Sequence, residues 1–114
     1  MKLHTDFNLK VTVNTETVPW IASPVNGIDR KMLERDGDEV ARATSLVRYA
    51  PNSSFTSHQH ELGEKFFVLD GVFEDEHGSY PKGCWLRSPH MSAHKPFSVE
   101  GCTILVKTGH LLVD

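Results

Sequence analysis

Residues 57–71 read SHQHELGEKFFVLDG. His58 and His60 are one residue apart, and Glu64 follows four positions after the second histidine. Imidazole and carboxylate are donor types that suit borderline divalent metal ions. Successive side chains on a strand point to opposite faces, so His58 and His60 share one face and Gln59 takes the other. Both rings can then reach a single ion. Glu64 opens an apolar run in which Phe66, Val68 and Asp70 share its face, opposed by Lys65, Phe67 and Leu69. Both faces are apolar near the middle, as expected of a strand buried between two layers. The pattern sets two imidazoles and a carboxylate at one end of an apolar pocket. With seven histidines in the chain, a His-x-His pair also arises readily by chance. On spacing alone, a metal site and a pair of ordinary histidines both stand.

The elements that must position these residues read as short strands rich in Val, Thr, Phe and Ile, separated by Gly, Pro, Asn and Asp. LKVTV (9–13) alternates. Residues 27–51 form a predicted hairpin turning at Asp36-Gly37, a two-residue reversal signal. EKFFVLDG (64–71), CWLRS (84–88), HKPFS (94–98) and CTILVK (102–107) follow, with a turn expected over DEHGSYPKG (75–83). No stretch carries a sustained helical period with caps. Many short strands with turns between them predict an all-β sandwich or small closed barrel. Residues 1–25, with Pro19 and Pro24, read as an extended arm that adds an edge strand. Residues 26–110 form the barrel and 111–114 a tail.

A chain of 114 residues is sized for one domain. Twelve Lys and Arg against fifteen Asp and Glu give a net charge of −3, which offers no electrostatic footprint for nucleic acid or an anionic membrane. No apolar run approaches the ~20 residues of a membrane span, and the start shows no signal peptide, so a cytoplasmic protein is expected. Cys84 and Cys102 form no disulfide framework and read as small buried hydrophobes.

The spacing His58-x-His60, three residues, Glu64, six residues, Gly71 resembles the first motif of the cupin superfamily, with Asn52 in place of its leading glycine. Asn tolerates the left-handed turn that such a glycine serves. Gly83, Pro89 and His94 resemble the second motif, with Met91 and Ser98 departing from its glycine and asparagine. LVRYAP, FVLDGVFEDEHG, YPKGCWLRSP and EGCTILVK narrow the resemblance to the ChrR-like cupin family. The resemblance implies a single-domain RmlC-like jelly-roll barrel. It also implies one divalent metal ion per chain, Fe(II) or Zn(II) with Ni(II) and Mn(II) as further candidates, held by His58, His60, Glu64 and His94.

Two functions follow from the resemblance. In the first, a non-haem Fe(II) dioxygenase cleaves a small β-dicarbonyl or hydroxy-ketone bound as its enolate, with Glu64 as a fourth ligand or a nearby base. Phe66, Val68, Trp85 and Phe97 are then candidate walls of the substrate pocket, although each also reads as plain core. In the second, the chain is a non-catalytic module that binds zinc or a small ligand, like the cupin half of zinc anti-sigma factors. No His/Cys cluster precedes the first strand, so the expectation is that it does not itself inhibit a sigma factor. A metal-free sugar epimerase on the same fold is disfavoured by the ligand set. Among other residues, His4, His90 and His110 read as surface, His77 as capping its turn, and Glu74-Asp75-Glu76 as a solvated turn. Leu111, Leu112 and Val113 with Phe67 and Leu69 suggest a homodimer interface.

Overall fold

The long apolar run after Glu64 becomes the spine of the molecule. In the computed structural model, which describes residues 1–56 and 58–112, strand β7 runs Glu64–Asp75. Before it come β1 (Lys2–Leu3), β2 (Ile21–Ala22), β3 (Ile28–Gly37), β4 (Ala41–Tyr49), β5 (Ser53–Ser54) and β6 (His58–His60). After it come β8 (Gly78–Pro81), β9 (Trp85–Ser88), β10 (Ser92–His94), β11 (Phe97–Ser98) and β12 (Cys102–Thr108). Among the described residues, helix is confined to a 3-10 turn at Thr15–Thr17, and no helix is long and apolar enough to cross a membrane. The all-β expectation holds.

All pairings are antiparallel. The main path runs β1-β3-β4-β12-β7-β11-β5, and β6 pairs with β10 alone. β7 serves two layers. Its first half pairs with β12 and β9, and its second half with β8 and β11. The bend between them follows a bulge: Ile104 opposes Val68, but Thr103 opposes Asp70, leaving Leu69 as the extra residue. The strand then turns at Gly71, whose φ is +71° and where a Cβ would lie 2.1 Å from the Gly101 carbonyl oxygen. Only glycine fits there. The bulge inverts the side-chain parity of the second half. Glu64, Phe66 and Val68 face inward, Asp70 faces out, and Phe73 and Asp75 face inward again.

The interior is built on Ile28, Tyr49, Phe66, Val68, Phe73, Cys102 and Ile104. Phe66 and Phe73 meet with ring centroids 4.5 Å apart, and Tyr49 stands edge-on to Phe73 at 5.7 Å. Burial pushes the Cys102 thiol up to about 11, consistent with an inert core group.

Three local expectations are corrected. LKVTV forms no strand: Leu9 and Val11 are exposed, and the arm pairs with β3 through β1 and β2 instead. Alternation without a partner strand has no hydrogen bonds to fix it. The β3–β4 hairpin does not turn at Asp36-Gly37. Both residues still pair, with Arg42 and Ala41, and the loop is Asp38–Val40. The stretch 75–83 is not all turn, because β8 folds back on β7 within it.

Candidate metal centre

Three residues, Glu61 to Gly63, separate His60 from the buried start of β7, and the chain reverses over them. Leu62 and Gly63 both take left-handed conformations, at φ 58° and 71°, and the Gly63 N–H donates to the His60 carbonyl. This tight link brings the side chains of His60 and Glu64 together. The C-terminal segment clamps it: the Leu111 N–H donates to the Leu62 carbonyl and the Gly109 N–H to that of Gly63. Leu111 is thereby half-covered, while Leu112 is fully exposed. The ladder of β6 with β10 delivers His94, whose backbone pairs with that of His58.

His60, Glu64 and His94 are all buried, and one ligand atom from each lies within 4.8 Å of the others. His60 Nε2 is 2.8 Å from His94 Nε2. Glu64 Oε2 contacts His60 Nε2 and lies 3.3 Å from His94 Nε2. Donors bound at the usual ~2.0–2.2 Å to one ion stand about 3 Å apart at right angles, so this triangle has the edges of a coordination face. Glu64 Oε2 forms no well-aligned hydrogen bond despite its burial, as befits an oxygen aimed at a shared centre. The donors present therefore fit a divalent ion. The side chain of His58 lies outside the described residues.

Burial alone would raise the Glu64 carboxyl, but the close approach of His60 and His94 outweighs it and holds it down at about 2. Burial alone would lower His94, yet Glu64 and Asp75 raise it. These directions predict opposite stability trends in metal-free protein. The Glu64 contribution is complete above 4.5 and is lost as pH falls towards about 2. The His94 contribution is complete below 6.5 and is lost as pH rises through its elevated value. Melting curves in chelator should therefore show a maximum at weakly acidic pH. Metal affinity should climb with pH through neutrality as the His94 proton is displaced, a release that calorimetry in buffers of different ionisation enthalpy reads directly.

Asp75 is the residue that sequence reasoning missed. It is no part of a solvated turn; it is 6% exposed. Its Oδ2 lies 3.4 Å from His94 Nδ1, while Oδ1 accepts from the His77 backbone N–H and the Tyr80 hydroxyl. A carboxylate can only accept, so the contact favours the ring with Nδ1–H and makes Nε2 the atom available to a metal ion once its proton is displaced. Asp75→Asn keeps the acceptor for His77 but loses the charge. It should weaken metal binding by roughly 10–100-fold with little change in fold, read by competition against a chromophoric chelator.

The other predicted residues divide. Phe66 and Val68 are 1% and 0% exposed and form core beside Glu64. Trp85 is not a pocket wall: it is 58% exposed and pairs with Phe67 on the outer face, while Leu86 takes the inward place opposite Phe66. Phe97 is half-buried and pairs with Glu74, so it shares a face with Glu74 rather than with Phe73 and Asp75. His90 is exposed and its Nδ1 accepts from the Leu62 N–H. His4 is exposed and bonds the Leu33 carbonyl, whereas His110 is half-buried rather than a surface residue.

Solved structures share this fold. A candidate acetylacetone dioxygenase from Methylibium petroleiphilum PM1 superposes with a TM-score of 0.78 at 18% identity, over 88% of this chain and 76% of that one. The acetylacetone dioxygenase of Acinetobacter johnsonii gives 0.70 at 19% identity, over 95% and 77%. A chain from the Rhodobacter sphaeroides complex of SigE with the anti-sigma ChrR gives 0.69 at 22% identity, over 84% of this chain and 51% of that one. At these identities the likeness is one of fold. No curated protein matches the sequence. The model of the ChrR cupin-like domain matches residues 8–112, nearly the whole chain, and the protein belongs to that family.

Proposed function

We propose that this protein binds one divalent metal ion through His60, Glu64, His94 and His58, and acts as a non-haem Fe(II) dioxygenase on a small β-dicarbonyl or hydroxy-ketone. The observation that carries the reading is the convergence of two Nε2 atoms and one carboxylate oxygen in a buried interior. When bound, the ion supplies Lewis acidity towards an enolate oxygen and the redox chemistry that dioxygen requires. Glu64 offsets part of its charge, and Asp75 holds the His94 ring in its ligating orientation. Phe66 and Val68 keep bulk water from the inner side. A proton leaving the substrate carbon would meet Glu64 as the nearest carboxylate of the cluster.

The test is oxygen uptake by Fe(II)-loaded protein on addition of acetylacetone. Uptake matched to substrate loss, and absent from Glu64→Gln, supports the dioxygenase. A second reading is a zinc- or ligand-binding module without turnover, favoured by the likeness to a chain of the SigE–ChrR complex. Tight zinc binding with no oxygen uptake from the Fe(II) form would select it.

The proposal includes a homodimer. Trp85, Phe67 and Leu105 stand in one cross-strand row on the outer face, at 58%, 39% and 37% exposure. Sedimentation should show a dimer that Trp85→Glu dissociates.

A further inference from the structure

We propose that the chamber between Arg30, Arg35 and Ser45 is an anion subsite that takes the carboxylate of a small organic acid. The chamber measures about 80 Å³ and is lined by two guanidinium groups, Ser45 and Thr108, with no carboxylate among its lining residues. Arg30 is neutralised from one side: Nη1 and Nη2 each donate to a Glu39 oxygen at 3.0 Å. Among the described residues, no carboxylate hydrogen-bonds Arg35, although Glu39 and Asp38 act on it electrostatically. Arg35 Nη1 donates to the Asp38 backbone carbonyl, which carries no charge. Arg35 is 8% exposed and Ser45 is 2% exposed. The Nε atoms of both arginines and the Ser45 hydroxyl are buried without hydrogen-bond partners. Buried donors left unpaired cost about 1–3 kcal/mol each, more when charged, so three around one chamber call for an acceptor that fills it.

The placement is built by the backbone. Ile28, Arg30 and Met32 oppose Tyr49, Val47 and Ser45 on the inner face, and simple alternation would send Arg35 outward. A bulge between Met32 and Glu34 shifts the register, so that Arg35 opposes Ala43 and faces inward with it. Burial, and then the neighbouring Arg30, hold the Arg35 guanidinium below its usual value and outweigh the opposing pull of Glu39 and Asp38. A fork of N–H donors suits a planar carboxylate. The volume is below the ~150 Å³ of an engineered cavity that admits benzene, so the ligand has the size of propionate or pyruvate.

One lining residue links the chamber to the strand that carries Glu64. Thr108 lines the chamber and pairs directly with Glu64 across the strands. A keto acid anchored here would extend its carbonyl towards Glu64. That extension rests on the metal reading, whereas the anion subsite does not.

The test is titration of ¹⁵N-labelled protein, as purified, with propionate and with propionamide. The expected result is saturable shifts at the Ser45, Val106 and Thr108 amides, at least tenfold weaker for the amide and in Arg35→Gln, and retained in His94→Ala. Equal binding of propionamide, or binding unchanged in Arg35→Gln, would overturn the proposal, as would no saturable shift at all. Loss in His94→Ala alone would assign the anion to the metal centre instead. Should Arg35→Gln not fold, Ser45→Ala and the acid–amide contrast decide in its place. Metal content and Fe(II) or Zn(II) uptake measured on the same sample separate the readings: propionate binding by protein that carries no metal and takes up none on reconstitution sinks the metal site and leaves the subsite standing.

Discussion

His94→Ala is expected to abolish metal retention while the protein stays folded. His94 contributes Nε2, which lies 2.8 Å from that of His60 and 3.3 Å from Glu64 Oε2. It is also the ring through which Asp75 acts. Loss of an outer partner of a metal ligand costs roughly 10–100-fold in affinity, and loss of the ligand itself should exceed that. Removing the ring leaves Glu64 buried with one counter-group fewer, so some stability goes too. His4→Ala is the control: that histidine is exposed, bonds the Leu33 carbonyl and should leave metal content unchanged. Equal retention by both variants, measured by elemental analysis after gel filtration, would place the metal elsewhere.

Phe66→Ala should have the largest effect on stability. Phe66 is 1% exposed and packs on Phe73, with Tyr80 at 6.4 Å. Emptying such a site costs about 3–5 kcal/mol, through lost transfer energy and the cavity left behind. Against a total of about 5–15 kcal/mol, this lowers the melting temperature by something on the order of 15 °C. Phe67→Ala, on the partly exposed outer face, should cost a fraction of that. Comparable losses from the two would mean that the inward face of β7 has been assigned the wrong way round.

What could be read from the sequence follows the physics of strand parity. His60 and Glu64 were legible because local chain geometry alone brings them together, across a link only three residues long. His94 was legible only through its spacing from Gly83 and Pro89, since nothing local says that β10 pairs with β6. Asp75 and Arg35 were not legible. Each faces inward because a bulge reverses the alternation upstream of it, and a bulge is a property of two strands in register. Trp85 was misread for a related reason. Its face is fixed by Phe67 opposite it, a pairing that no local pattern announces. The alternation of residues 9–13 was real but found no strand to pair with, so it gave a loop.

The most direct test of the central claim is elemental analysis of untagged protein purified without added metal or chelator. About one iron or zinc ion per chain, lost in His94→Ala and reduced in Asp75→Asn, is the predicted result. Wild-type protein that carries no metal and fails to take up Fe(II) or Zn(II) on reconstitution would contradict it.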